Sequence, residues 1–305
     1  MTLILAAIGK ETIWLAADRR LSARGCAPKD DGCKLMFLET KDGVGILGYA
    51  GLGETSAGME PSEWMSNCLR GRNLTLEQSL SVIAKAMEVQ MPKHLLRIPS
   101  ELMAHHAIVV PAFVNEEPRL YILQLELSPD RKLKRMHFVR HRPKGGRKPP
   151  KFGLAGSGAM MLLKDKTWMR PLTRIVRAAD RKQLPLHSVP RYFAQLNERV
   201  HAVDPFVGSK CIVAWRNRKK GVHKGGGNHH HLNGTTQDSD GGGFIPTIGN
   251  GTDIIAMIAP LWESMMASVK ALPPGSKKLP SFEFDMDEVN ARLATMPQGP
   301  DEELK

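Results

Sequence analysis

From its second residue the chain reads as two successive β-hairpins, and no other feature limits the fold as much. Thr2 to Ile8 is an apolar strand, Gly9-Lys10-Glu11 a turn, and Thr12-Ile13-Trp14-Leu15-Ala16-Ala17 the returning strand. After a loop rich in Gly, Pro and Asp at 25–32, a second pair runs from Lys34 to Glu39 and from Gly43 to Tyr49 around Lys41-Asp42-Gly43. Two hairpins in a row start an antiparallel sheet.

The pattern then changes period. Residues 54–70 and 75–90 are expected to be helical, the second with Thr75 and Gln78 at capping-box spacing and Leu76, Leu80, Ile83 and Met87 on one face. Strands are expected at 106–114, 119–126 and 133–140, and again at Phe152-Gly153-Leu154-Ala155. Helices at 158–179 and 187–203 and a strand from Lys210 to Trp215 complete the order. Alternating groups of strands and helices describe an α+β protein in which helices cover antiparallel sheets. From Gly221 to Gly243 the chain becomes rich in Gly, His and Asn and reads as a loop with little to bury. The remainder, 244–305, is expected to hold one helix, near 253–270, and an acidic tail carrying Glu283, Asp285, Asp287 and Glu288. The domain division is therefore 1–220, a loop at 221–243 and an extension at 244–305.

Composition narrows the function classes. With 305 residues, 42% of them hydrophobic and 24% charged, the chain has ample material for a core, and wholesale disorder is excluded. Cys26, Cys33, Cys68 and Cys211 contain no CxxC pair and are too few for a disulfide scaffold, which points to a reducing compartment. No apolar run approaches the roughly 20 residues of a membrane span. The apolar start follows no basic stretch and is a poor secretion signal, so the expectation is a soluble, cytoplasmic protein with no membrane partner. The excess of 43 Lys+Arg over 31 Asp+Glu, a net charge of +12, permits acidic partners, nucleic acid among them.

Chemistry begins at Thr2. A threonine freed of the initiator methionine offers a hydroxyl as nucleophile and its own α-amine, with an ordinary pKa of about 7.7–8.0, as the base that takes the hydroxyl proton. Such a pair needs a cation to tune the amine and a carboxylate to fix that cation. Asp18 ends the second strand and Lys34 opens the third, sixteen and thirty-two residues after Thr2. Taken singly, each is a strand-end residue of no special meaning.

Taken together, Thr2, Asp18 and Lys34 at these offsets resemble the proteasome-type β-subunits of the N-terminal nucleophile hydrolases, including the bacterial ring proteases of that type. Further matches follow in order: Leu15-Ala16-Ala17-Asp18-Arg19-Arg20, Tyr49-Ala50-Gly51, Gly156-Ser157-Gly158 and Asp204-Pro205-Phe206-Val207-Gly208. The resemblance spans residues 2–215 and implies a four-layer α/β/β/α sandwich of two antiparallel sheets. It implies a threonine-type amidohydrolase, a peptidase subunit acting on peptide or protein without a cofactor. By the same resemblance Thr2, Asp18 and Lys34 are catalytic, Gly51 supplies the oxyanion amide, Ser157 and Asp204 orient the amine, and Gly32 and Tyr49 line the substrate pocket. It also implies a homo-oligomeric ring, and it leaves open an ATPase unfoldase that would feed that ring. Two departures stand out: Gly51 lies about three residues later than the family's glycine, and Val207 occupies a position where active members usually have Ser. The chain is a precursor as written, because Met1 blocks the Thr2 amine.

Two other readings compete. One is a catalytically silent subunit with a structural or assembly role; the other is a basic nucleic-acid-binding protein, suggested by ten Lys/Arg and no acid between 131 and 151. Phe138 is the one aromatic residue in that run, which argues against single-strand recognition. His229-His230-His231, with His223 nearby, sits in a Gly-rich setting without a partnering Cys or carboxylate, and no metal is assigned. His105-His106 is expected at a strand start with one ring inward and one outward.

Overall fold

The computed structural model describes residues 2–21, 27–51, 53–54, 58–95, 106–126, 137–141, 149–218, 226–231, 245–254 and 256–257. Its first hairpin pairs β1 (Ile4–Ile8) with β2 (Thr12–Asp18), and its second pairs β3 (Leu35–Thr40) with β4 (Gly43–Ala50). Every residue of β1 and β2 is buried, although the side chains alternate between two faces. Both faces must therefore be covered, and the alternation shows by what. Leu3, Leu5 and Ala7 enter one apolar cluster with helices, while Ile4, Ala6 and Ile8 enter another shared with the second sheet. A strand apolar throughout, rather than on alternate residues, is the signature of the inner layers of a sandwich.

The remaining elements complete four layers. Helices α1 (Pro61–Leu69) and α2 (Leu76–Leu95) cover one sheet. Strands β5 (Ala107–Val114), β6 (Glu117–Glu126) and β7 (His137–His141) extend that sheet, and β8 (Lys151–Ala155) returns to pair with β1. Helices α3 (Ala159–Lys164), α4 (Met169–Asp180) and α5 (Ser188–His201) cover the other sheet, followed by β9 (Cys211–Asn217) beside β2. With β10 (Gly226–His231), β11 (Thr247–Gly249) and β12 (Thr252–Asp253), the sheet orders are β10-β9-β2-β1-β8 and β12-β11-β3-β4-β5-β6-β7. This is the α/β/β/α sandwich that the resemblance implies, and the α+β class that the order of strands and helices implies.

Local signals account for the boundaries. Thr75 and Gln78 form the capping box at the start of α2: the Thr75 hydroxyl accepts from the Gln78 amide at 3.3 Å, and the Gln78 side chain accepts from the Thr75 amide at 3.0 Å. Helix α1 begins only at Pro61, at the first helical turn where proline is tolerated, seven residues later than the sequence reading from 54. The stretch 158–179 is divided into α3 and α4 by a short 3₁₀ turn at Lys166–Trp168, where Asp165 caps the Thr167 amide at 3.0 Å.

Two stretches beyond residue 220 pair with the sheets. Within 221–243, residues Gly226–His231 form strand β10 on the free edge of β9. Backbone pairing with an open edge outweighs the poor strand propensity of glycine there. Beyond that segment, β11 (Thr247–Gly249) runs parallel to β3 and turns into β12 (Thr252–Asp253), so these residues belong to the sandwich rather than to a separate extension. The buried Asp253 carboxylate fixes them to α1, accepting from Arg70 Nη2 at 2.7 Å and from the Ser66 hydroxyl at 2.9 Å. Residues 254, 256 and 257, at the start of the helix expected near 253–270, are helical; the rest of that helix, the acidic tail and most of the basic run 131–151 lie outside the described residues. No described helix is long and apolar enough to cross a membrane.

Candidate functional site

The register of the first hairpin brings Thr2 and Asp18 together. Ile4 pairs with Ala17, and one step further out Leu3 and Asp18 exchange hydrogen bonds: the Leu3 amide donates to Asp18 Oδ1 at 2.8 Å and the Asp18 amide to the Leu3 carbonyl at 3.2 Å. Lys34 arrives from the other sheet, at the start of β3, where its carbonyl accepts from the Tyr49 amide at 3.0 Å. The site therefore sits at one end of the sandwich, where the two sheets face each other.

Lys34 Nζ donates to both oxygens of Asp18, each at 3.0 Å, and to Thr2 Oγ1 at 3.2 Å. All three residues are buried, Thr2 to 3%, Asp18 to 1% and Lys34 to 2% exposure. The Asp18 carboxylate is saturated, since Oδ2 also accepts from the amides of Gly208 at 3.1 Å and Arg20 at 3.2 Å. Burial lowers the Lys34 pKa, and this outweighs the opposing pull of Asp18. A buried ammonium that holds its proton less tightly than usual, within reach of a hydroxyl, suits proton movement at that hydroxyl.

The turn Gly156-Ser157-Gly158 packs on the backbone of Thr2. The Gly158 amide donates to the Thr2 carbonyl at 3.3 Å. Gly156 has φ +88°, and a Cβ there would lie 2.0 Å from the Thr2 carbonyl oxygen, so no other residue fits. Ser157 Oγ is buried without a hydrogen-bond partner.

Other expected site residues sit differently. The Asp204 carboxylate accepts from the amide of Phe206 at 3.0 Å, inside its own turn, and no hydrogen bond among the described residues joins it to Thr2 or Lys34. The group that the same turn sends into the site is the Gly208 amide. Val207 is fully buried against Gly158 in the core beneath the helices. Gly32 is buried, donates its amide to the Arg19 carbonyl at 3.0 Å and lies so close to Leu21 that a Cβ would collide with it. Tyr49 points into the core beneath α1 and α2, and its hydroxyl shares a hydrogen bond of 2.9 Å with His106 Nδ1. Gly51, at φ +147°, lies over that pair: a Cβ there would be 2.3 Å from His106 Nδ1 and 2.7 Å from the Tyr49 oxygen.

Sequence reasoning missed the supports around the triad. Arg20 grips Asp30 with two hydrogen bonds, at 2.6 and 2.7 Å, and also reaches the Pro205 carbonyl. Arg19 donates to the carbonyls of Asp31 and Gly32. The two arginines thus fasten the loop before Lys34 and the turn before Gly208 to the end of β2. The signal available in the sequence was Arg19-Arg20 directly after Asp18, with Asp30-Asp31 in the following loop. His106, expected to send one ring of the His105-His106 pair inward, is buried, and His105 lies outside the described residues.

Comparisons with known proteins give the following. No protein-family model matches the chain, and no curated protein matches it. Among solved structures it is similar to Anbu (ancestral beta-subunit) from Yersinia bercovieri, at 14% identity over 90% of this chain and 99% of that one, with a TM-score of 0.46. It is also similar to Anbu from Hyphomicrobium sp. strain MC1, at 12% identity over 90% and 99% of the two chains, TM-score 0.45. A third is the helical assembly of the Anbu complex from Pseudomonas aeruginosa, at 14% identity over 90% and 98%, TM-score 0.41. The fold is an α+β sandwich of two sheets covered by helices. The finer placement among the proteasome-type β-subunits with their bacterial ring proteases is overturned: no family model matches, and the similar structures are Anbu proteins.

Proposed function

We propose that this protein hydrolyses amide bonds through an acyl-enzyme on Thr2, once Thr2 carries the free N-terminal amine. One observation carries the reading: Lys34 Nζ stands 3.2 Å from Thr2 Oγ1 while bound to both oxygens of Asp18, in a buried site. In the proposed reaction Thr2 Oγ attacks the scissile carbonyl carbon and its proton passes to the α-amine, which Lys34 and the unpartnered Ser157 hydroxyl hold in place. The Gly51 amide stabilises the oxyanion. The amine then protonates the departing nitrogen as the C–N bond breaks, leaving an ester on Thr2. Water, deprotonated by the same amine, hydrolyses that ester. Asp18 keeps Lys34 in place, Asp204 shapes the turn that presents Gly208, and Tyr49 and Gly32 act by supporting the walls rather than by touching substrate. Peptides are the substrate class proposed first, and assembly with further copies belongs to the same proposal. The exposed Met160, Leu163 and Phe206 on the helix layer offer a surface for that contact, which sedimentation would detect.

A second reading, a silent subunit that keeps the sandwich without chemistry, is favoured by the burial of the apolar Val207 side chain and by the Asp204 carboxylate, which turns back onto the Phe206 amide. An epoxyketone peptide separates the two, because that warhead needs both hydroxyl and amine of an N-terminal threonine. Intact mass and peptide mapping should show Met1 lost and one adduct on Thr2, absent from Thr2→Ala. Processed chain with no adduct overturns the hydrolase reading.

A further inference from the structure

The outward face of α4 carries a line of guanidinium groups that no acid among the described residues answers. Leu172, Val176 and Ala179 face inward and are buried. Arg170, Arg174 and Arg177, all exposed, recur at steps of four and three residues on the opposite side, and the cap residue Arg181 continues the line after four more. At about 1.5 Å of rise per residue the line is roughly 16 Å long. None of these four arginines takes part in an ion pair among the described residues. The acids nearest in sequence are engaged elsewhere. Asp180 gives both carboxylate oxygens to the amides of Lys10 and Glu11, and Asp165 pairs with Arg199 at 3.1 Å.

Helix stability does not explain this arrangement. Like charges three and four residues apart on a helix repel one another. The first turn of α4 holds no acid, so Arg170 also faces the positive end of the helix dipole. A row of cations kept against these costs, exposed and without an ion pair among the described residues, fits an anionic partner.

We propose that α4 lies along the phosphate backbone of a nucleic-acid duplex. Arginine suits that partner, because its planar fork makes paired hydrogen bonds to phosphate oxygens. The net charge of +12 favours the approach. A duplex fits better than a single strand, since the helix exposes no aromatic side chain on which bases could stack: Trp168, at its start, is 3% exposed. Binding of this kind positions the protein without reading sequence. The surface differs from the basic run at 131–151, and the proposal stands whether or not Thr2 is a nucleophile.

The test is fluorescence anisotropy of the full chain with a 20-base-pair duplex DNA of arbitrary sequence, titrated at several NaCl concentrations between about 25 and 200 mM. Four phosphate contacts predict a slope of log affinity against log salt of roughly −3 to −4. The variant Arg174→Gln/Arg177→Gln should reduce the slope by about 2 and weaken binding at least tenfold at low salt. Lys41→Gln/Lys85→Gln removes the same charge from exposed positions away from α4 and should leave slope and affinity nearly unchanged. Unaltered thermal melts would show that both variants fold. Binding that is absent at the lowest salt, or lost equally in both variants, overturns the proposal. So does a stripe variant that binds DNA normally but changes its oligomeric state, which would assign the arginines to contacts between copies.

Discussion

Removing Lys34 should cost more stability than removing Lys34 and Asp18 together. In Lys34→Met the Asp18 carboxylate keeps its three amide donors, from Leu3, Arg20 and Gly208, but loses its buried cation. Breaking a buried pair in this way costs about 3–5 kcal/mol. For a chain of this size that corresponds to a fall in Tm of roughly 6–20 °C. Asp18→Asn strands the buried ammonium instead and also takes an acceptor from the Gly208 and Arg20 amides, so its loss is at least as large. Asp18→Asn/Lys34→Met removes both charges and leaves mainly the imperfectly paired amides, for about 1–3 kcal/mol. The double variant should therefore fall short of the sum of the single losses by at least about 2 kcal/mol. Urea unfolding at pH 7, followed by circular dichroism, measures all four corners of the cycle. Sign and pH can be checked in the same experiment. Burial lowers the Lys34 pKa in the folded state, so between that value and its ordinary value near 10.5 the unfolded chain binds the extra proton. Stability then rises with pH across that window, and Lys34→Met should flatten the rise. Strict additivity of the two single variants would refute the coupled, buried pair.

Further outcomes follow from the geometry. Gly156→Ala meets both a left-handed backbone, at φ +88°, and the Thr2 carbonyl oxygen 2.0 Å from the new Cβ, so it should cost at least about 2 kcal/mol, read as a fall in Tm, and abolish any epoxyketone adduct. Cys33, Cys68 and Cys211 are buried free thiols, and native iodoacetamide treatment at pH 8 should leave all three unlabelled by mass spectrometry. Burial pushes Cys211 up to about 12, so the folded state keeps a proton that the unfolded chain releases above about 9; stability falls between those values, and Cys211→Ala should weaken that fall. Asp204→Ala should cost about 1 kcal/mol of stability or less, since it removes one partly exposed turn hydrogen bond. Gly208→Ala should do more, because its Cβ would lie 2.9 Å from Arg20 Cβ and 3.0 Å from the Arg20 amide nitrogen and would disturb the donor to Asp18.

The inner sheets were legible because their chemistry is redundant. In β1, β2 and β4 every residue is buried, so an unbroken apolar run bounded by Gly-Lys-Glu or Lys-Asp-Gly fixes both the strand and its layer. The edges were not legible for the complementary reason. Strand β10 is Gly-Gly-Asn-His-His-His and has no strand propensity of its own; it exists because β9 presents unpaired backbone groups, which are invisible in the local sequence. The same holds for β11 and β12, three and two residues long, whose place depends on a parallel pairing with β3 and on a carboxylate, Asp253, that finds Arg70 and Ser66 some 180 residues away.

The candidate site divides along the same line. Thr2 and Asp18 flank neighbouring antiparallel strands, so their offset of sixteen residues already carries geometry from hairpin register, whereas Lys34 comes from the other sheet and its place depends on how the two sheets pack. Asp204 lies after a helix end, where the direction of a side chain depends on one turn, and there the structure turns the carboxylate back onto Phe206 and offers a main-chain donor, Gly208, in its place. A backbone amide has no residue-type signature, so pattern reading credits the nearest acid instead. Tyr49 illustrates a second limit. Alternation along β4 determines that its ring faces α1 and α2, but the partner of its hydroxyl, His106, sits 57 residues further on at the start of β5. Because a Cβ on Gly51 would collide with both groups, the pair sets which residue can occupy the turn proposed to hold the oxyanion, and a change in either ring would reach the chemistry without touching substrate.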